Sequence, residues 1–220
     1  MKKRVFAVVY MFLLTLFFTS LVSAVRLLSE EKIETNQRVK LERIILQVLG
    51  VSSALKSSDE DLGKVFQERI KTIQIQDKSL YVHYAADNET ILGYAFPVGG
   101  PGFWGPIYGM VAVDPQASKI LGIAFYKHSE TPGLGARITE EWFALQFSDL
   151  PLFPIASEKK IFYLKAGGTS AASNELDAIT GATGTSRAVE TFLNQELDIF
   201  LKKLWKLVKE EALNDAKDSI

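Results

Sequence analysis

The chain has 220 residues, room for one anchor and one domain of ordinary size, and 47% of them are apolar, enough to bury a core. A formal net charge of −1 gives no electrostatic reason to expect nucleic acid as a partner. Cysteine is absent and only His83 and His128 represent histidine, which removes disulfides, thiolate metal sites and cysteine-held iron–sulfur clusters; any redox chemistry must come from a bound organic cofactor.

The N-terminus is basic at Lys2, Lys3 and Arg4, and Val5 to Val25 then carries no charge. That run is long enough to cross a bilayer as a helix. Val22-Ser23-Ala24 would suit a signal-peptidase site, but a signal core spans only about 7–15 residues, so we read residues 1–25 as a retained transmembrane anchor. The basic flank places the N-terminus in the cytoplasm and residues 26–220 outside it, as a single extracytoplasmic domain on a single-pass membrane anchor.

Residues 26–50 have helical periodicity through Val39, Leu41, Ile44, Ile45, Val48 and Leu49, with Gly50 placed to end the helix. Ser57-Ser58-Asp59-Glu60 reads as a capping box opening a second helix, with Val65, Phe66 and Ile70 facing inward. Five strand signals follow over 72–76, 80–85, 91–98, 108–113 and 119–126, with turns at Asp77-Lys78, Asp87-Asn88 and Asp114-Pro115. Closely spaced consecutive strands favour antiparallel pairing. With helices before and after, the fold class is α+β: a largely antiparallel sheet with packed helices, preceded by one transmembrane helix.

Two glycine-rich loops interrupt this pattern. Gly99 to Pro106 carries the adjacent aromatics Phe103 and Trp104, which by composition alone would plug an edge of the core. Glu130-Thr131-Pro132-Gly133-Leu134-Gly135 holds a Pro-Gly turn signal. Thr139 to Phe147 then reads as helix, Pro151 and Pro154 break the chain, and Ile161 to Leu164 is one more strand candidate leading to Lys165-Ala166-Gly167-Gly168.

The stretch Asp177-Ala178-Ile179-Thr180-Gly181-Ala182-Thr183-Gly184-Thr185-Ser186 is small, hydroxylated and glycine-punctuated. Apolar residues then recur at 189, 192, 193, 197, 200, 201, 204, 205 and 208, the spacing of an amphipathic helix beginning near Ser186. Its unpaired N-terminal N–H groups favour an anion, phosphate above all, and the hydroxyls of Thr180, Thr183, Thr185 and Ser186 can bond to it or react with it. The alternative is that Thr185 or Ser186 simply caps the helix. Trp205, the lysines at 202, 203, 206 and 209 and a polar tail to Ile220 complete the chain.

Asp177 to Thr183 resembles the Asp-x-x-(Ser/Thr)-Gly-Ala-(Thr/Ser) flavinylation motif of the FMN-binding domain family, which includes the covalent-flavin subunits of Rnf complexes and of sodium-translocating NADH:quinone reductases. The resemblance implies Thr183 as the residue that carries FMN through a phosphoester, with Thr180, Gly181, Ala182, Thr185 and Ser186 around it. His128-Ser129-Glu130-Thr131-Pro132-Gly133-Leu134-Gly135 is similar to a second motif of that family. It implies that Thr131 and Leu134 contact the flavin, that Gly133 and Gly135 give clearance, and that Glu130 holds the loop through backbone N–H groups. Gly100 to Trp104 resembles the family's Gly-x-Gly-(Leu/Phe)-Trp segment, which implies Trp104 beside the ring system. The Lys165 segment is implied near the flavin too, where a cation would stabilise its reduced, anionic form. His128 is read as structural or surface, not as a base.

The resemblance implies an electron-carrying subunit with covalent FMN and no acid–base dyad of its own, rather than a catalyst acting alone. Its partners would be the other membrane subunits of an ion-translocating respiratory complex, and a flavin transferase that uses FAD and a divalent metal. Between the two complex types the modest length leans to Rnf. A stand-alone FMN-binding redox or sensor module, and a structural subunit without flavin, stay open as alternatives.

Overall fold

The computed structural model describes residues 2–51, 57–75, 78–152, 160–167 and 174–204. Gln76 and Asp77 of the first expected turn, Pro154, Gly168, Trp205, Lys206, Lys209 and the tail lie outside them. The chain divides into two compact units, Met1–Leu41 and Glu42–Ile220. The first is helical: α1 runs Lys2–Val48 without a break, so the apolar span and the periodic segment after it form one helix. Its stretch Lys2–Glu30 is long and apolar enough to cross a membrane, with a mean hydropathy of 2.4 and none of that window buried.

In the second unit α1 ends as its sequence requires. Gly50 takes φ 76°, its N–H donates to the Gln47 carbonyl at 3.0 Å, and Val51 N–H reaches back to the Leu46 carbonyl at 2.9 Å. This pair of bonds is a Schellman motif, and it needs the left-handed conformation that glycine adopts at no steric cost. Helix α2 (Asp59–Arg69) starts one residue later than the expected capping box. Ser58 is its N-cap, accepting from Asp61 N–H at 3.3 Å while its hydroxyl donates to the Asp61 carboxylate at 2.7 Å.

The five expected strands form one antiparallel meander, in the order β1 (Ile70–Ile75), β2 (Lys78–Tyr84), β3 (Ile91–Pro101), β4 (Pro106–Val113) and β5 (Ile120–Lys127). Alternation decides which helix covers which face. One face carries Leu80, Val82, Tyr94, Phe96, Val98 and Phe125 into the main core. There lies α4 (Thr183–Ile199), with Val189, Phe192, Leu193 and Leu197 buried, followed by one wide helical turn over Phe200–Leu204. Gly100 permits this approach, because a Cβ there would sit 2.3 Å from the Cβ of Phe192. The rings of Phe96 and Phe200 stack at 4.0 Å. The opposite face takes the last turn of α1: a Cβ at Gly122 would meet the Val48 carbonyl at 2.7 Å, and one at Gly93 would meet Leu49 at 3.4 Å.

Between sheet and last helix the chain departs from its expected pattern. The helix expected over Thr139–Phe147 is a 3-10 turn, Gly135–Thr139, and then a short α3, Glu141–Leu145. Glu140 divides them with an extended backbone, φ −74° and ψ 146°. Phe143 and Phe147 from this region pack edge-to-face with each other at 5.6 Å, and Phe147 with Phe162 at 5.2 Å. The extra strand is real but late, β6 (Tyr163–Lys165), and it pairs in parallel with a strand the hydropathy pattern does not reveal, β7 (Glu175–Asp177). Each has three residues, too few for alternation to register.

Candidate functional site

Three separate segments converge at the N-terminus of α4. The first is the β3–β4 connection, where Gly102 N–H donates to the Gly105 carbonyl at 2.8 Å and closes a tight turn. Its tip is Phe103 and Trp104, 61% and 67% exposed, ring to ring at 5.2 Å and nearly perpendicular. These aromatics do not plug the core. They form a lip, and the ring of Phe103 lies where a Cβ at Gly184 would stand, 2.4 Å away.

The second segment follows β5. Thr131 to Leu134 is a tight turn with Gly133 at φ 74°, and the Thr131 carbonyl accepts from both Leu134 and Ala136 N–H groups at 3.1 Å. His128 Nδ1 accepts the Glu130 N–H at 3.2 Å, a structural task for the imidazole.

The third is the motif Asp177 to Ser186. Gln146 anchors it: its Oε1 accepts from Asp177 N–H at 2.6 Å and its Nε2 donates to the Asp177 carbonyl at 3.3 Å. Ile179 to Ala182 then turns through Gly181 at φ 77°, with Ala182 N–H on the Ile179 carbonyl at 3.0 Å. Helix α4 opens at Thr183, three residues before the start that periodicity suggests, with Ala182 as N-cap and no capping side chain. The small residues 183–186 have no apolar period to announce a helix, yet they form its first turn. Thr185 and Ser186 therefore do not cap it. Ser186 Oγ accepts the Ile179 N–H at 3.1 Å and fixes the turn, while Thr183 is exposed at the first helical position. Among the described residues the N–H groups of Thr183, Gly184 and Thr185 carry no hydrogen bond.

Glu130 joins all three segments. Only 4% exposed, it accepts from Phe103 and Trp104 N–H groups at 2.9 and 3.0 Å through Oε1, and from the Thr185 hydroxyl at 2.5 Å through Oε2. Gly135 makes room for this junction, since a Cβ there would fall 2.4 Å from Thr185 Oγ1 and 2.8 Å from Glu130 Oε2. The two motif turns also touch, for a Cβ at Gly181 would lie 3.2 Å from Leu134.

The result is an open pocket of about 350 Å³ lined by Phe103, Trp104, Glu130, Thr131, Leu134, Gly135 and by residues 181–185. Of the residues singled out from sequence, Trp104, Glu130, Thr131, Leu134, Gly135, Gly181, Ala182, Thr183 and Thr185 line it. Thr180, Gly133 and Ser186 shape its two turns without lining it. Lys165 does not line it, and its ammonium is paired with Glu175 across the β6–β7 pair. Sequence reasoning gave no role to Gln146, nor to Asn194, whose Oδ1 accepts from Ile161 and Phe162 N–H groups at 2.6 and 3.2 Å. A buried asparagine inside an apolar helix stripe is the one local sign of that contact.

Chemically, the pocket pairs an apolar aromatic lip with a helix end that offers three N–H groups and an exposed hydroxyl. A planar ring system carrying a phosphate suits both halves. The glycines at 181 and 184 and the unbonded N–H groups are what FMN would require, so the residues present fit it.

The α+β fold and this pocket suit a flavin, and residues 102–198 match the model of the FMN-binding domain family, a range that takes in the whole pocket lining. This match agrees with the resemblance carried by the Asp177–Thr183 and His128–Gly135 motifs. It is similar to the NqrC protein of the Na(+)-translocating NADH-quinone reductase of Chlamydia muridarum, 32% identical over 63% of this chain and 54% of that one. To the corresponding NqrC protein of Vibrio alginolyticus it is 26% identical, over 62% of this chain and 54% of that one. The chain thus spans about half the length of the curated relatives it matches. Its fold is that of the NqrC crystal structure from Parabacteroides distasonis, with TM-score 0.66 and 24% identity over 79% of this chain and 95% of that one. The NqrC structure from Shewanella oneidensis matches with TM-score 0.63 and 21% identity over 72% and 91%.

Proposed function

We propose that this protein is a membrane-anchored electron-transfer subunit that carries FMN as a phosphoester on Thr183, within a complex of the sodium-translocating NADH:quinone reductase type. The single observation that carries the reading is the position of Thr183: an exposed hydroxyl on the first residue of α4, beside three unbonded N–H groups and inside the pocket. The other hydroxyls of the helix start are engaged, Thr185 with Glu130 and Ser186 with Ile179. Thr180 is exposed but does not line the pocket. The relatives named above favour the reductase over the Rnf type to which length had leaned.

FMN would supply the redox chemistry. The chain's own part is to hold the phosphate at the N-terminus of α4, to seat the ring against Trp104 and Leu134, and to keep water from one face of it. The apolar helix at Lys2–Glu30 supports a single-pass anchor, and the basic residues Lys2, Lys3 and Arg4 favour an N-terminus in the cytoplasm with the domain outside. Outside the cytoplasm a reversible site would empty as free FMN becomes scarce, and a covalent bond removes that dependence. The bond would require a flavin transferase, to which Thr183 would present the accepting hydroxyl, with FAD as the source of the FMN phosphoryl group and AMP as the leaving group. The remaining partners are the other membrane subunits of the complex.

The test is flavin fluorescence of the denatured band after co-expression with a flavin transferase, beside Thr183→Ala. A bright wild-type band and a dark variant are expected. Two dark bands beside an active transferase would overturn the covalent reading, and two bright bands would move the linkage to another hydroxyl.

A further inference from the structure

The family resemblance implies a cation, Lys165, beside the flavin; in the structure the pocket is lined by a carboxylate, Glu130, and not by Lys165. Glu130 lines the pocket together with Trp104 and Leu134 and is 4% exposed. Its three hydrogen bonds come from neutral donors, two backbone N–H groups and the Thr185 hydroxyl. Among the described residues no lysine, arginine or histidine forms an ion pair with it. Neutral donors make a buried carboxylate tolerable without cancelling its net charge, and little solvent is present to screen it. Lys165, the cation that would oppose it, is bound to Glu175 instead.

We infer that Glu130 is a redox-tuning residue: its buried negative charge holds the midpoint potential of the flavin in this pocket lower than the pocket would otherwise set it. The inference rests on the FMN reading above. Uptake of two electrons and one proton leaves the ring system with one more negative charge than before. An unneutralised carboxylate buried in the wall of the same pocket opposes that gain, favours the oxidised form and makes the carrier a stronger reductant. In the full complex the electrons come from a redox partner protein; in the test they come from dithionite.

Glu130→Gln isolates the charge. The amide oxygen still accepts from Phe103 and Trp104, and the amide nitrogen donates to Thr185, whose hydroxyl serves as acceptor as readily as donor. Glu130→Asp does the reverse, keeping the charge and losing reach. Wild type and both variants are co-expressed with a flavin transferase, checked for flavin on the denatured band, and titrated with dithionite against reference dyes. Glu130→Gln is expected to shift the oxidised–reduced equilibrium at least tenfold toward reduced flavin, about 30 mV upward for a two-electron couple. Glu130→Asp is expected to stay near wild type. A flavin-loaded Glu130→Gln protein with the wild-type potential overturns the inference and leaves the FMN reading standing. A wild-type protein that holds no flavin overturns both. Where Glu130→Gln does not fold, the aspartate variant decides: an unchanged potential supports the charge, and an upward shift reduces Glu130 to a positioning residue.

Discussion

The hydroxyl of Thr185, on the first turn of the last helix, donates to Oε2 of Glu130 at 2.5 Å, although 55 residues separate them in the chain. Both are buried, so the bond is made away from competing water. The other oxygen of that carboxylate holds the turn that displays Phe103 and Trp104. One side chain thus sets the distance between the aromatic lip and the helix N-terminus, the two halves of the pocket.

Thr185→Val keeps the shape of the side chain and removes the donor. A buried carboxylate oxygen then loses its partner, and hydrogen bonds to charged groups are worth about 1.5–3 kcal/mol. We expect a stability loss of that size in urea denaturation, largely restored by Thr185→Ser. A Thr185→Val protein as stable as wild type would show that the bond contributes nothing to holding the segments together.

Two glycines make opposite predictions. At Gly100 an added methyl meets Cβ of Phe192, an atom fixed to the helix backbone, so Gly100→Ala must push α4 off the sheet at a cost of about 3 kcal/mol. At Gly184 the methyl meets the ring of Phe103, which is exposed and can swing outward. Gly184→Ala should lower stability by less than about 1 kcal/mol yet weaken the near-ultraviolet circular dichroism of the Phe103–Trp104 pair. Comparing melting curves with aromatic dichroism in the two variants checks both.

His83 is buried on the second strand, and among the described residues its Nε2 has no hydrogen-bond partner. Burial holds its pKa below the ordinary 6.5, and the neighbouring Arg69 adds to the effect. The unfolded chain therefore binds a proton more readily than the folded one as pH falls below 6.5. The stability that neutral His83 permits is complete above that pH and declines below it, so the melting temperature should fall between pH 7 and about 5. His83→Leu should flatten this decline, and an unaltered pH profile in that variant would assign the decline elsewhere.

Every described residue of the sheet, the core and the pocket lies in the unit that begins at Glu42. A chain shortened to residues 42–220 retains the last turn of α1, with Ile44, Ile45 and Leu46 buried and Arg43 paired with Asp59 at 2.8 Å. It should remain soluble without detergent and melt within a few degrees of the full chain. Aggregation of the shortened protein would show that residues 1–41 contribute to the fold itself.

Features that depend on neighbours in the chain were legible from the sequence. Alternation gave the five strands, because a half-buried strand must place every second residue in the core. Gly50, Gly133 and Gly181 fall where the backbone turns left-handed, and Pro-Gly and Thr-Gly signal such turns locally. The small residues ahead of the last helix marked an anion-friendly helix start, though its first residue, Thr183, came three positions early because a turn of small residues has no hydrophobic period. Tertiary structure alone decided the rest. Glu130 and Lys165 read alike as polar residues in glycine-containing loops; only folding buried one among neutral donors and left the other in an ion pair at the surface. Gln146, Asn194 and the parallel β6–β7 pair act through partners 12 to 33 residues away. Such contacts carry no periodic trace, because the chain specifies them by complementarity in space and not by spacing.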